Sequence, residues 1–200
     1  MIYAVIGLLL VGGFIFYMTS RNNKSQTNEQ QTTEQNQDTG RVKESKVDEN
    51  PYPGLRNQSF SVTPDQLHLM LDNNKTVVYG AVMDWDIGGA VATVVAFQTG
   101  DASLYISAGQ VYIGGYAHDN IRKAGLAFVS EAQNYLSKTT AIDTAQLPDK
   151  GCVRFYLLTN KGKYTSQETV ANIESKNSDW TKLFDLGNNV ITEYRMITEK

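Results

Sequence analysis

The side chains that could do chemistry are concentrated in two short stretches, and the clearer one is D-W-D-I-G-G, residues 84–89. Asp84 and Asp86 flank Trp85, and alternate residues of a β-strand share a face, so both carboxylates could point the same way. Paired carboxylates act in glycoside hydrolysis, whereas a hard cation needs more oxygen ligands than two. We favour a hairpin corner, with Trp85 packed and the aspartates solvated or bonded to turn amides, over a ligand- or partner-binding role.

The second stretch is G-G-Y-A-H-D-N, residues 114–120, which precedes a predicted helix. Glycines before a helix can cradle an anion, but the carboxylate of Asp119 would itself occupy the positive end of that helix. His118 could act as a general base, although a histidine beside a capping aspartate is more often a second cap. Tyr116 and His118 therefore join Asp84, Trp85 and Asp86 as candidate binding residues, and we assign no residue a catalytic role.

Cysteine, histidine and charge content argue against several classes of function. The single cysteine, Cys152, opens an apolar run, where a thiol usually serves as a small buried hydrophobe. Two histidines and one cysteine lie too far apart in the chain to form a metal cluster, so we expect no metal and no cofactor. With 18 basic and 21 acidic residues, the chain has no basic excess that would predict nucleic-acid binding.

The amino-terminal segment, residues 2–19, is uncharged and almost entirely apolar. Its length of about eighteen residues is near the lower limit for a membrane-spanning helix. No basic residue precedes the run and no A-x-A site follows it, which favours an uncleaved anchor over a signal peptide. Arg21 and Lys24 follow it directly, so the positive-inside rule predicts a single-pass protein of the cell membrane, anchored by residues 1–20, with a cytoplasmic carboxy-terminal part.

A polar segment, residues 21–56, follows the predicted anchor. Its residues 21–50 contain only two aliphatic side chains, Val42 and Val47, and cannot bury enough apolar surface to offset the entropy of ordering. We therefore predict a disordered tether that ends near the P-Y-P-G stretch at residues 51–54. Residues 57–200 are predicted to form the globular domain.

Periodicity within this domain predicts an antiparallel sheet crossed by one long helix. A first helix is expected over residues 63–71, and the long helix runs from Asp119 to about Ser137. Short glycine-bearing joins between four apolar runs favour hairpins over crossovers. The predicted strands are residues 76–84, 90–98, 102–107 and 110–114, a hairpin about residues 160–162, and a last strand over residues 190–196. A single helical turn is expected near residues 180–184. The fold class is therefore α+β, with two layers and a mainly antiparallel sheet, preceded by the transmembrane helix.

A resemblance accompanies these patterns. The run D-W-x-x-G-x-A-x-A-T-x-V-A-F-x-x-G-x-A-S-L-Y, residues 84–105, is similar to a bacterial domain family of unknown function. G-x-V-R-F-Y-L-L-T at residues 151–159 and L-F-x-x-G-x-x-V-I-T-E at residues 183–193 extend the likeness. The predicted topology also loosely resembles the roadblock, longin and profilin group, which implies a domain that dimerises or docks partners.

Three functions fit these observations. The first is a membrane-anchored cytoplasmic docking domain that holds an unknown protein partner, which could be a second copy of the chain. The second is a small-ligand sensor with a pocket between the long helix and the sheet, near Trp85, Tyr116 and His118. The third is an enzyme that uses Asp84, Asp86 or His118.

Overall fold

Seven β-strands form one antiparallel sheet in the order β4-β3-β2-β1-β6-β7-β5. The computed structural model describes residues 50–198, which belong to a compact unit that begins at Asn50. The strands are β1 Val78–Asp86, β2 Val91–Phe97, β3 Ala102–Ile106, β4 Val111–Tyr112, β5 Thr140–Ile142, β6 Cys152–Thr159 and β7 Gly162–Thr169. The α+β class and the antiparallel sheet predicted from the sequence are thereby confirmed.

In the described part of the chain, four α-helices accompany the sheet: α1 Tyr52–Ser59, α2 Asp119–Ala132, α3 Val170–Glu174 and α4 Thr181–Thr198. Short 3-10 turns precede and follow α2, at Gly115–Ala117 and Gln133–Lys138. Within residues 50–198, no helix has the length and apolar character needed to cross a membrane. The predicted anchor, and the tether up to residue 49, lie outside the described residues.

One face of the sheet is covered by α2 and α4, and this helix-covered face holds the larger apolar core. Two glycines allow the helices to approach closely. A Cβ atom at Gly125 would lie 3.2 Å from the Cβ of Ala102, and one at Gly187 would lie 2.7 Å from the sulfur of Met83. Side chains of the sheet and the helices therefore fill the space between them.

The opposite face is covered by α1 and by two segments, residues 60–71 and 142–146. A second apolar core lies here, in which Tyr52 and Phe60 pack with Val82, Val95 and Tyr156 of the sheet. We call this the α1-covered face. The sheet is thus sandwiched between two unlike layers, rather than crossed by the one helix that the sequence predicts.

The predicted last strand is wrong, because residues 190–196 belong to α4. The short alternation V-I-T-E-Y suggested a strand, but the buried residues of the whole segment recur every three or four positions. These are Leu183, Phe184, Gly187, Val190 and Tyr194. A helical stripe of this length buries more apolar surface than a five-residue alternation could, and the predicted turn near residues 180–184 is simply its start.

The predicted helix over residues 63–71 is also wrong. Thr63 and Gln66 do form reciprocal side-chain to backbone hydrogen bonds, as a helix start requires. The turn stops at His68, whose φ of 53° is left-handed. Beyond it, Leu69 and Leu71 pack on the α1-covered face while Met70 between them is exposed, which is an extended pattern.

The folded domain begins earlier than predicted, since α1 occupies residues that the sequence assigns to the end of the tether. Tyr52 and Arg56 are both buried. Pro53 and Gly54 mark a boundary in composition, but proline is compatible with the first turn of a helix, and α1 is held by its side-chain contacts.

Candidate functional site

The D-W-D-I-G-G stretch ends β1 and turns the chain into β2. Gly88 and Gly89 have φ values of 76° and 103°, which only glycine adopts readily. Trp85 faces α4, where its ring lies edge-on to Phe184 with centroids 5.1 Å apart. Alternation along the strand places Asp84 and Asp86 together on the α1-covered face.

Asp86 is bonded to turn amides, as the hairpin interpretation expects. Its two carboxylate oxygens accept hydrogen bonds from the backbone N–H of Gly88 at 3.2 Å and of Gly151 at 2.6 Å. The second bond ties the β1–β2 hairpin to the loop of residues 143–151. One carboxylate therefore fixes the relative position of two loops at this end of the sheet.

Asp84 is neither solvated nor bonded to a turn. Its side chain is 0% exposed, and its Oδ2 accepts hydrogen bonds from Arg56 Nη2 at 2.6 Å and Nε at 2.9 Å. Oδ1 accepts a hydrogen bond of 2.5 Å from the hydroxyl of Thr93, which in turn lies 3.0 Å from the hydroxyl of Tyr52. A buried charge is tolerated only when paired and hydrogen-bonded, and α1 supplies the cation.

Arg56 is held on several sides. Its Nη2 also donates to the carbonyl of Gln146 at 2.9 Å, and its Nη1 donates to that of Ala145 at 3.3 Å. The rings of Phe60 and Tyr156 lie over the guanidinium, with centroids 5.0 and 5.8 Å from Cζ. The hydroxyl of Tyr156 donates to the same Gln146 carbonyl. We call the groups around this guanidinium, including Asp84, the Arg56 site.

The Arg56 site belongs to a row of polar side chains that crosses five strands of the sheet. Tyr105, Thr93, Asp84, Arg154 and Gln167 are successive cross-strand partners in β3, β2, β1, β6 and β7. Arg154 Nη2 donates to Gln167 Oε1 at 2.7 Å, while its buried Nε has no hydrogen-bond partner among the described residues. The row concentrates charge and hydrogen-bonding capacity beneath α1.

Burial and pairing act in opposite directions on the ionisable groups of this site. Burial raises the pKa of the Asp84 carboxyl, while Arg56 and Thr93 act to lower it. Desolvation acts to lower the pKa of Arg56, but the attraction of Asp84 outweighs it and the pKa is raised. Burial and the charge of Asp84 raise the pKa of Tyr156 to about 12, so its hydroxyl stays protonated as a donor.

An open depression of about 500 Å³ lies between the hairpin and the 143–151 loop, next to the Arg56 site. Its lining residues are Asp86, Gly89, Ala90, Val91, Ser107, Pro148 and Lys150. Two exposed aliphatic side chains neighbour these lining residues in the sequence: Ile87, 43% exposed, follows Asp86, and Leu147, 49% exposed, precedes Pro148. We call this region the hairpin depression.

The second predicted stretch lies elsewhere. Tyr116 is half-buried in the 3-10 turn, and exposed His118 precedes α2 without a side-chain capping bond. The 3-10 turn packs against Ala102 of β3. Ala102 pairs with Ala96 of β2, which in turn pairs with Ala81 of β1. Ala81 is five residues from Asp86, or about 17 Å along the strand. The structure therefore does not bring Tyr116 and His118 together with the D-W-D-I-G-G stretch.

Asp119, predicted as the cap, is instead the first residue of α2 and pairs with Arg122 at 3.2 Å.

Cys152 is buried, as the apolar run predicts, and burial raises the pKa of its thiol. A raised pKa keeps a thiol in its less nucleophilic form. Within residues 50–198, no group of three or more histidine, cysteine or acidic side chains is placed to hold a metal ion.

Sequence reasoning missed Arg56, Tyr52, Thr93 and Arg154. A signal was present, because Thr93 and Arg154 interrupt apolar strands, and a polar residue inside such a run is more informative than an apolar one. Arg56 carried no such signal, since it lies in a polar segment.

No protein-family model, curated protein or solved structure matches this chain. The resemblance drawn from the motifs at residues 84–105, 151–159 and 183–193 therefore stays a prediction.

Proposed function

We propose that this protein is a single-pass membrane protein whose cytoplasmic domain docks a protein partner through the hairpin depression. The observation that carries this proposal is the pair of exposed aliphatic side chains, Ile87 and Leu147, next to an open depression whose walls are fixed by the Asp86–Gly151 hydrogen bond. Exposed apolar groups on a preorganised surface gain free energy when a partner covers them, and little ordering entropy is lost.

The membrane part of the proposal rests on the sequence of residues 2–19 and on the basic residues that follow it. A flexible tether of about 30 residues would let the domain search a layer of about 30 Å next to the bilayer. Such a layer confines domain and partner together, which raises their effective concentration. A docking surface of modest area would then suffice.

Site-specific photocrosslinking of the full chain in cells tests the docking surface. A photoreactive phenylalanine analogue is placed at Ile87, at Leu147 and, as a control, at Met196. Met196 is 55% exposed and lies near Tyr194 of α4, which bonds to Ala102 at the other end of the sheet. We expect the same discrete adduct from Ile87 and Leu147 and none from Met196. Equal labelling at all three positions, or none at any, would contradict the proposal.

Thiol labelling tests the membrane orientation. Cys152→Ser removes the natural thiol, and Lys161→Cys places one in the exposed turn between β6 and β7. We expect a membrane-impermeant maleimide to label this cysteine only after the cells are permeabilised, in a protein that fractionates with membranes. Labelling in intact cells would reverse the orientation, and recovery in the soluble fraction would remove the anchor from the proposal.

A further inference from the structure

The acceptors that bind the Arg56 guanidinium come from outside α1. Asp84 belongs to β1, the two carbonyls belong to Ala145 and Gln146 of the 143–151 loop, and the ring of Tyr156 belongs to β6. Phe60, immediately after α1, adds the second ring. A guanidinium-shaped site therefore exists on the body of the domain, and α1 places its own arginine in it.

The chemistry of the site selects arginine over lysine. All three guanidinium nitrogens are used: Nε and Nη2 converge on one carboxylate oxygen, while Nη1 and Nη2 reach the two carbonyls. A planar fork that also stacks on aromatic rings meets these requirements, whereas a compact ammonium group cannot. With Asp84 0% exposed, removal of the Arg56 side chain would leave this carboxyl buried without its closest cation, and a guanidinium that entered the site would restore the ion pair.

The helix that carries Arg56 has little stability of its own. It is eight residues long with the sequence Y-P-G-L-R-N-Q-S and contains Gly54, and at its start the side chain of Asn50 accepts a hydrogen bond of 3.0 Å from the N–H of Tyr52. Helices this short are marginal in water and depend on tertiary contacts. The buried side chains of α1 are Tyr52, Arg56 and Ser59. Detachment of α1 would break the contacts of the Arg56 site, the packing of Tyr52 in the apolar core of this face, and its hydroxyl contact with Thr93.

The Arg56 site and the hairpin depression share a wall. The 143–151 loop supplies Gln146 to one and Pro148 to the other. On β1, Asp84 and Asp86 lie on the same face about 7 Å apart. A polypeptide segment seated in the hairpin depression could therefore extend one side chain to the Arg56 site.

We propose that the surface beneath α1 is an arginine-recognition site, which Arg56 occupies in cis and which an arginine side chain of the bound partner takes over by displacing α1. This inference deepens the proposed function, and it rests on that function for the statement that the arginine belongs to a protein partner. The site itself can be tested with a small guanidinium compound and with a peptide.

The first experiment uses the full-length Arg56→Ala variant and methylguanidinium. We expect a saturable rise in Tm of about 5 °C at about a hundred times the Kd. Methylammonium, which lacks the planar fork, should give no saturable rise. The wild-type chain, whose site is filled, and the Arg56→Ala/Asp84→Asn variant should not respond to methylguanidinium. A folded Arg56→Ala chain without a saturable response would overturn the site, as would equal responses to both cations.

The second experiment needs no destabilised variant. A fluorescent peptide with the sequence of residues 50–61 is titrated with the full wild-type chain, and anisotropy reports binding in place of α1. We expect saturable binding that weakens about 100-fold or more when the peptide carries Arg56→Ala, and at least about 10-fold with Arg56→Lys. Absence of binding, or equal binding of all three peptides, would overturn exchange at this site. Adducts at Ile87 and Leu147 would still form in that case, so failure here is distinguishable from failure of the docking proposal.

Discussion

The two faces of the sheet are stabilised in different ways. On the helix-covered face, α2 and α4 contact the sheet through apolar side chains and two close-approach glycines. On the α1-covered face, a short helix covers a polar row whose centre, Asp84, is fully buried. The first face depends on the amount and shape of apolar surface, and the second depends on a few directional contacts.

This difference affects how each face tolerates change. Apolar cores accept substitutions that conserve volume at a modest cost in stability. A buried ion pair tolerates the loss of one partner poorly, because the remaining charge is left in a medium that cannot solvate it. The α1-covered face should therefore be the more sensitive to single substitutions, although it buries fewer apolar side chains.

The largest effect is expected for Arg56→Ala. Loss of the guanidinium leaves the carboxylate of Asp84 buried without its partner, and we expect the free energy of unfolding of the full chain to fall by about 3–5 kcal/mol. Urea unfolding followed by tryptophan fluorescence measures this change. A loss below about 1 kcal/mol would show that the two faces do not differ in the way described.

The matched control is the double variant Arg56→Met/Asp84→Leu, which removes both charges and keeps much of the volume. Replacement of a buried ion pair by apolar side chains is often neutral or stabilising. We therefore expect the double variant to recover most of the stability that Arg56→Ala loses. If it is as unstable as the single variant, the packing of α1 rather than its charge stabilises this face.

A smaller effect is expected on the helix-covered face for Ile121→Val. Ile121 is completely buried in α2, and the substitution removes one methylene group without adding a polar atom. We expect a loss of about 0.5–1.5 kcal/mol, measured by the same urea unfolding. A loss equal to that of Arg56→Ala would erase the contrast between directional and apolar stabilisation.

Periodicity predicted the elements whose pattern was long and local. The strands β1 to β3 and the helix α2 agree with prediction to within a few residues, because each shows several repeats of its own period. The helix α4 was split into a turn and a strand, since its glycine at 187 and its β-branched residues at 190–192 weaken a helical pattern. That glycine is required by the close approach to Met83, which no local pattern displays.

The candidate site was predicted only in part. The hairpin geometry of D-W-D-I-G-G and the shared face of Asp84 and Asp86 follow from strand alternation and turn chemistry. The partner of Asp84 could not be predicted, because Arg56 lies 28 residues away in the chain, within a segment whose composition indicated a tether. Such a pairing depends on tertiary contacts, which a single sequence does not specify.

The smallest effect concerns Glu168, an acidic residue near the rim of the helix-covered face. Its Oε2 accepts a hydrogen bond from Ser178 Oγ at 2.7 Å, and its Oε1 accepts one from the N–H of Thr169 at 2.7 Å. Chiefly the bond from Ser178 lowers the pKa of the Glu168 carboxyl below its ordinary value. The folded state therefore releases this proton more readily than the unfolded state does, so the stabilisation is complete above the ordinary pKa and is lost as pH falls through the lowered one.

Glu168→Gln should accordingly cost less than about 1 kcal/mol at neutral pH, since the group is only half-buried and solvent screens it. Because protonation removes the same charge from the wild type, the difference between variant and wild type should shrink below about pH 4. Urea unfolding of both chains at pH 7 and in acid measures it. The pKa of Asp84 is shifted in the opposite direction, because burial raises it. The stability that Asp84 contributes should therefore not be lost in acid as that of Glu168 is. A Glu168→Gln difference that stays constant with pH would mean that the carboxylate charge adds nothing at this rim, and that directional electrostatic stabilisation is confined to the α1-covered face.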